Sequence, residues 1–187
     1  MDLKNLFPKL VDRSDEISLS DSDLLKICNN NIKIYTYTSL FQFNDIDDLF
    51  TEYDYIIILY QMRKMNSGHW VSIYRDEINN TLVYFNPYGK KVDFEISLPD
   101  SFVKRNYLTE LINKSLHKYK LDINTYKFQL LEKDMNTCGR HVAVRYFFRN
   151  YSNREYKEIL DATIKRNNYK NADELVTCLT ILYTLEK

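Results

Sequence analysis

Three residue types that together run thiol chemistry occur in order along the chain: His69, Asn86 and Cys138. Cys138 stands in Asn136-Thr137-Cys138-Gly139-Arg140-His141, and the run from Val142 to Tyr151 behind it reads as a buried helix. The thiol therefore sits at a helix N-terminus, where backbone N–H groups and the dipole favour a thiolate. Gly139 lets the chain turn tightly and keeps the approach to the sulfur open. The plain alternative for a free cysteine is a small buried hydrophobe. Cys28 and Cys178, each inside an amphipathic helix, fit that alternative better than Cys138 does.

A thiol nucleophile needs a base and a group that orients the base. His117, between Leu116 and Lys118 near a helix end, reads as a surface residue. His141 follows Cys138 on the same helix and points along its flank, which suits packing. His69 opens a strand between Gly68 and Trp70, 69 residues before Cys138. A strand end can reach across to a helix N-terminus, as a Cys–His pair requires. Asn86 lies 17 residues further on, in Phe85-Asn86-Pro87-Tyr88-Gly89, and ends the next strand. A hairpin would set it beside His69, where its side-chain oxygen accepts from one ring nitrogen and turns the other towards the thiol. Asn86-Pro87-Tyr88-Gly89 is also a strong turn sequence in its own right. Asp76 and Asp93 are carboxylate alternatives, each less well placed. An oxyanion needs donors, and the Cys138 N–H and the Gln129 amide are the candidates; Gln129 also reads as an ordinary polar strand residue.

The elements that must position these groups follow from patterning. Ser20-Asp21-Ser22-Asp23 caps a short helix through Cys28, and Lys33 to Tyr37 alternates as a strand. Asn44-Asp45 caps a second short helix, Ile46 to Tyr53. Tyr55 to Gln61 is apolar throughout and reads as a central strand buried on both faces. His69 to Arg75 and Thr81 to Phe85 flank a turn at Asn79-Asn80. Ser101 to Lys118 has helical periodicity, Tyr126 to Leu131 reads as a last strand, and helices over about 138–151, 153–166 and 171–185 close the chain. The order implies an α+β fold: a central, mostly antiparallel sheet packed by helices, the Cys138 helix against the sheet.

Composition narrows the function. Acidic and basic residues number 26 each, so net charge is zero and nothing global favours nucleic acid or a membrane surface. The Arg140, Arg145 and Arg149 series reads as a solvated helix face. Three widely spaced cysteines without a CxxC motif or metal spacing predict neither a disulfide framework nor a zinc site, and no cofactor is expected. The first residues lack a secretory signal, and the longest apolar run is too short for a membrane span. With only three glycines and three prolines, one domain over residues 1–187 in a reducing compartment is the expectation.

Taken together, these motifs resemble the adenain-like and ubiquitin-like-protein-processing cysteine proteases. His69-Trp70 resembles their His-Trp, and the order His, Asn/Asp/Glu, Gln, Cys is theirs. Phe85-Asn86-Pro87-Tyr88-Gly89 is similar to the Phe-Glu-Pro-Phe-Gly of adenovirus maturation proteases. Thr137-Cys138-Gly139-Arg140 resembles versions in giant viruses and virophages. The resemblance covers roughly residues 55 to 150. It departs from the family where Asn86 fills an acidic slot, as in some large-DNA-virus members, and where Thr137 replaces an acidic residue. Gln129 lies nine residues before Cys138, further than the family's Gln. The resemblance implies a cysteine endopeptidase with Cys138, His69, Asn86 and Gln129 catalytic, and with Trp70 and Gly139 on the substrate. A narrow cleft roofed near Trp70 would favour Gly-Gly or Ala-Gly before the cut. The implied substrate is a capsid or virion precursor, and the implied setting is a monomer in the virion and host cytoplasm. A peptide or DNA activator is known in adenovirus members, although no cysteine here matches the activator site. Rival readings of the same site are a deubiquitinase or deSUMOylase, a same-fold acetyltransferase and an inactive binding module.

Overall fold

The computed structural model describes residues 17–63, 68–131 and 135–183. Five strands form one sheet in sequence order: β1 (Lys33–Thr36), β2 (Tyr55–Gln61), β3 (Gly68–Asp76), β4 (Thr81–Phe85) and β5 (Lys120–Ile123). The longer pairings, β2 with β3 and β3 with β4, are antiparallel. The outer pairings, β1 with β2 and β4 with β5, are parallel and short. The helices are α1 (Asp21–Ile27), α2 (Tyr107–Ser115), α3 (Cys138–Phe147), α4 (Asn153–Asn167) and α5 (Ala172–Thr180). Among the described residues no helix is long and apolar enough to cross a membrane.

Side-chain alternation along the strands divides the core in two. Tyr55 and Ile57 of β2, Trp70 and Tyr74 of β3, and Val83 and Phe85 of β4 face α1, α3, α4 and α5. Ile56, Ile58 and Tyr60, Val71 and Ile73, and Leu82 and Tyr84 face α2 and three 3-10 turns. Ile56, Ile57 and Ile58 are wholly buried, which is why β2 is apolar without alternation. Each contributes about 2 kcal/mol of burial.

Helix α3 is enclosed on every side: Cys138 through Tyr146 are all buried. Tyr55 donates from its hydroxyl to the Val142 carbonyl at 2.8 Å, locking the helix to the sheet. Arg140 and Arg145 are wholly buried and only Arg149 is exposed, so the Arg series does not form a solvated face. The Arg145 guanidinium lies 4.7 Å from the Tyr156 ring centroid and 5.2 Å from that of Tyr74, and donates to the Phe148 and Tyr151 carbonyls. Arg140 Nη1 donates to Thr180 Oγ1 at 2.7 Å. Hydrogen bonds and aromatic faces offset the desolvation of both cations.

Some expected elements differ. The second short helix is a 3-10 turn, Ile46–Phe50, capped by Asp45. The helix expected over Ser101 to Lys118 occupies only Tyr107–Ser115, because Ser101 bridges to Met62 and Phe102 turns outward, 57% exposed. Residues 126–131 are not the last strand; Lys120–Ile123 is. The Phe128 and Gln129 N–H groups instead donate to the Pro87 carbonyl, and that of Leu130 to Asp173. Helices α3 and α5 end earlier than expected, at Phe147 and Thr180.

Candidate active site

Sheet register positions the His–Asn pair. Ser72 pairs with Phe85 across the β3–β4 hairpin, so Asn86, one residue past β4, falls beside Val71. His69 stands two residues from Val71 on the same face of β3. Its Nε2 lies 2.9 Å from Asn86 Oδ1. Asn86 is wholly buried and its amide is fixed by two further bonds. Oδ1 accepts from the Tyr88 backbone N–H at 3.0 Å, and Nδ2 donates to Glu95 Oε1 at 2.8 Å. The oxygen must therefore face His69, which makes Nε2 the protonated ring nitrogen. Nδ1 is left as the lone-pair nitrogen, buried and with no hydrogen-bond partner among the described residues. The turn geometry of Asn86 and its contact with His69 thus coexist. Tyr88 completes the pocket by stacking on the imidazole, with centroids 4.2 Å apart.

Cys138 is the first residue of α3 and the most accessible of the three free cysteines, at 8% exposure. Burial pushes its thiol up, while the N–H groups of Trp70, Gly139 and Cys138 itself face the sulfur and oppose that rise. Burial likewise pushes His69 down, to about 4, with the Asn86 bond opposing. Thiol and imidazole therefore both rest neutral. Burial drives the Cys28 thiol up to about 12, which leaves it inert.

Cys138 lines a cavity of about 780 Å³ together with Leu19, Leu59, Gly68, Trp70, Phe102 and Asn136. Gly68 and Trp70 flank His69, so the cavity joins the start of β3 to the start of α3. Trp70 is held by its indole N–H, which donates to the Leu19 carbonyl at 3.3 Å. Gly139 lies buried behind this wall. A Cβ there would sit 3.0 Å from Leu19 Cβ and 3.3 Å from Trp70 Cδ1. Its backbone is helical rather than left-handed, so close packing, not a tight turn, requires the glycine.

No family model matches the chain. The uncharacterized protein V9 of Sputnik virophage is 32% identical over 174 residues, covering 89% of this chain and 96% of that protein. The chain belongs to the V9 family. Two solved structures of the SUMO protease Ulp1, its catalytic cysteine oxidized to a sulfonic or a sulfinic acid, align with 99% of the chain. They do so at 14% identity and a TM-score of 0.42, covering 83% and 82% of their own chains. At that score the likeness carries no weight for this V9-family protein.

Gln129 of this V9-family chain is wholly buried, and its Nε2 donates to the Met135 carbonyl at 3.3 Å. That bond uses one of the two hydrogens on the Gln129 amide nitrogen. Its segment is tied to the Asn86 turn: Gln129 N–H donates to the Pro87 carbonyl at 3.0 Å, and Asn124 Nδ2 to that of Asn86 at 2.7 Å. Gly89, at φ +66°, lets the turn approach this segment, since a Cβ there would lie 2.7 Å from the Tyr126 carbonyl oxygen. His141 is buried and bonds through Nε2 to Asp173 Oδ1 at 2.9 Å, the packing role its place on the helix flank implies. Asp76 only caps its own turn, through Asn79. Asp93 accepts from the Tyr60 hydroxyl and the Thr109 N–H, and so braces α2. Sequence reasoning missed three groups near the site: Tyr88 on the imidazole, Asp173 beneath the approach to Cys138, and Glu95 behind Asn86. Only Tyr88 carried a local signal, as part of the turn motif.

Proposed function

We propose that this V9-family protein is a cysteine endopeptidase with Cys138 as nucleophile, His69 as base and Asn86 as orienting group. The observation that carries the reading is the fixed Asn86 amide. It commits His69 Nε2 as a donor and leaves Nδ1 as a buried acceptor, and the residues on either side of His69, Gly68 and Trp70, line the same cavity as Cys138.

In the proposed reaction the peptide carbonyl enters the cavity at Cys138. The thiol proton passes to His69 Nδ1 as the sulfur attacks the carbonyl carbon. The Cys138 and Gly139 N–H groups lie at the helix start, where the oxyanion forms, and the second Nε2 hydrogen of Gln129 adds a donor. The intermediate collapses as Nδ1 returns its proton to the leaving amine, giving a thioester. Water then gives a proton to Nδ1 and attacks the thioester, and the same proton restores the thiol. Asn86 Oδ1 accepts from Nε2 throughout and exchanges no proton.

The Trp70 wall and the packed Leu19 support a preference for small residues before the cut, such as Gly-Gly. The virophage origin of the V9 relative supports a capsid or virion precursor as substrate. Purified protein is incubated with a virophage capsid precursor and, separately, with ubiquitin and SUMO conjugates. The expected result is cleavage of the precursor after a small residue, abolished by Cys138→Ala. Cleavage of the conjugates alone would overturn the substrate. Cleavage unaffected by Cys138→Ala would overturn the site.

A further inference from the structure

A buried carboxylate stands behind Asn86 that the steps above leave unused. Glu95 lies in the 3-10 turn Phe94–Ser97 and is 1% exposed. Its Oε1 accepts from Asn86 Nδ2 at 2.8 Å and lies 3.7 Å from His69 Nε2. Its Oε2 is buried with no hydrogen bond among the described residues. Leaving a buried polar atom unpaired costs roughly 1–3 kcal/mol. If an acceptor for Asn86 were all the fold required, a neutral amide would supply it more cheaply than a carboxylate.

The titratable groups around Glu95 come from every neighbouring element. They are His69 on β3, Tyr84 on β4, Tyr60 on β2, Asp93 in the preceding turn, Tyr88, and Cys138 on α3. The tyrosines are pushed up by burial and stay neutral, and Asp93 is occupied with Tyr60 and Thr109. Glu95 is thus the acidic group aimed at the His69–Asn86 pair.

We propose that Glu95 is a positioning residue whose ionisation switches this site on. As an anion it holds Asn86 Nδ2 and polarises the amide, so that Oδ1 accepts more strongly from His69 Nε2. It also places a negative charge near the imidazolium that forms when Nδ1 takes the thiol proton. Glu95 and Asn86 exchange no proton in that step. A protonated Glu95 still accepts from Asn86 but supplies no charge, so the imidazolium forms less readily.

Burial pushes the Glu95 carboxyl up to about 7, against its own N–H and Asn86 and with Asp93 adding to the rise. The switch therefore operates near neutrality, and the site gains reactivity as pH rises through that range.

This inference rests on the Cys138–His69 reading, and alkylation of Cys138 separates the two. Iodoacetamide rates at Cys138 are followed by peptide mass spectrometry from about pH 5 to 8.5, in wild type and Glu95→Gln. The wild-type rate is expected to rise through a limb near 7. The variant should lose that limb and run roughly tenfold slower at about pH 8, the effect of about one unit in His69 basicity. The two should react alike at the acid end. Superimposable profiles would overturn the role of Glu95 and leave the thiol site standing. Failure of Cys138 to react ahead of Cys28 and Cys178 in wild type would overturn both. If Glu95→Gln does not fold, ¹⁵N titration of the His69 ring in wild type answers the same question. A response near 7 in addition to the ring's own titration is expected, and its absence overturns the proposal.

Discussion

Asn86 Oδ1 faces His69 Nε2 at 2.9 Å and also accepts the Tyr88 N–H at 3.0 Å. One oxygen thus holds a ring and a turn together. Asn86→Ala removes this shared acceptor and leaves the buried Nε2–H unpaired. The expected result is a loss of stability of roughly 1–3 kcal/mol, seen in chemical denaturation. A fall in peptidase activity of roughly 10²-fold or more is expected with it, because the wrong ring nitrogen can then face the thiol. Full activity in Asn86→Ala would remove Asn86 from the mechanism.

The packing of Gly139 predicts a local clash. An alanine Cβ would press on Leu19 Cβ at 3.0 Å and Trp70 Cδ1 at 3.3 Å. Gly139→Ala should cost about 1–3 kcal/mol by overpacking. The chain has one Trp, so its fluorescence reports the displacement directly. An unchanged spectrum and melting temperature would show that this wall yields freely.

Asp173 ties the α5 helix to the approach to Cys138. Its carboxylate accepts from His141 Nε2, the Thr137 hydroxyl and the Leu130 N–H. Burial pushes its carboxyl up, but His141, Thr137 and Leu130 together outweigh that and hold it below the ordinary carboxylate value. The native state thus binds this proton less readily than the unfolded chain does. The stabilisation is complete above about pH 4 and is lost as pH falls through the lower native value. In Asp173→Asn, the fall in melting temperature from about pH 4 downward should be shallower than in wild type. Parallel acid limbs would show that folding leaves the proton affinity of this carboxylate unchanged.

Glu95 predicts the opposite sign. Its native value, about 7, lies above the ordinary 4.5, so the folded state binds the proton more readily than the unfolded one. Stability should therefore fall as pH rises from about 4.5 to 7, by roughly 3 kcal/mol as an upper bound. Glu95→Gln should be free of that loss and gain on wild type at about pH 8. Equal stability of the two proteins across this window would place the ionisation of Glu95 elsewhere.

The elements carried by local pattern were legible in the sequence. The unbroken apolar run of β2, the β3–β4 hairpin and the Ser20 capping box are each fixed by neighbouring residues. The His69–Asn86 contact follows from hairpin register, also a short-range property. Glu95 was hidden because its burial depends on which side of a 3-10 turn meets the sheet, and no spacing rule sets that. Asp93, two residues earlier, looked similar but adopts a left-handed backbone and braces α2 instead. The segment 126–131 alternates like a strand, yet its N–H groups find the Pro87 carbonyl and the Asp173 carboxylate. Those partners are 40 or so residues away in sequence on either side. The buried arginines of α3 were misread for the same reason, since only the tertiary fold surrounds that helix on all sides.

The central claim is that Cys138 is a nucleophile served by His69, and a covalent probe tests it most directly. A peptide ending in two glycines and carrying an electrophilic vinyl ester is incubated with wild type and with His69→Ala, and adducts are mapped by mass spectrometry. The account predicts one adduct, on Cys138, formed rapidly in wild type and at least roughly 10²-fold more slowly without the imidazole. An adduct on Cys28 or Cys178, or equal rates in the two proteins, would contradict it.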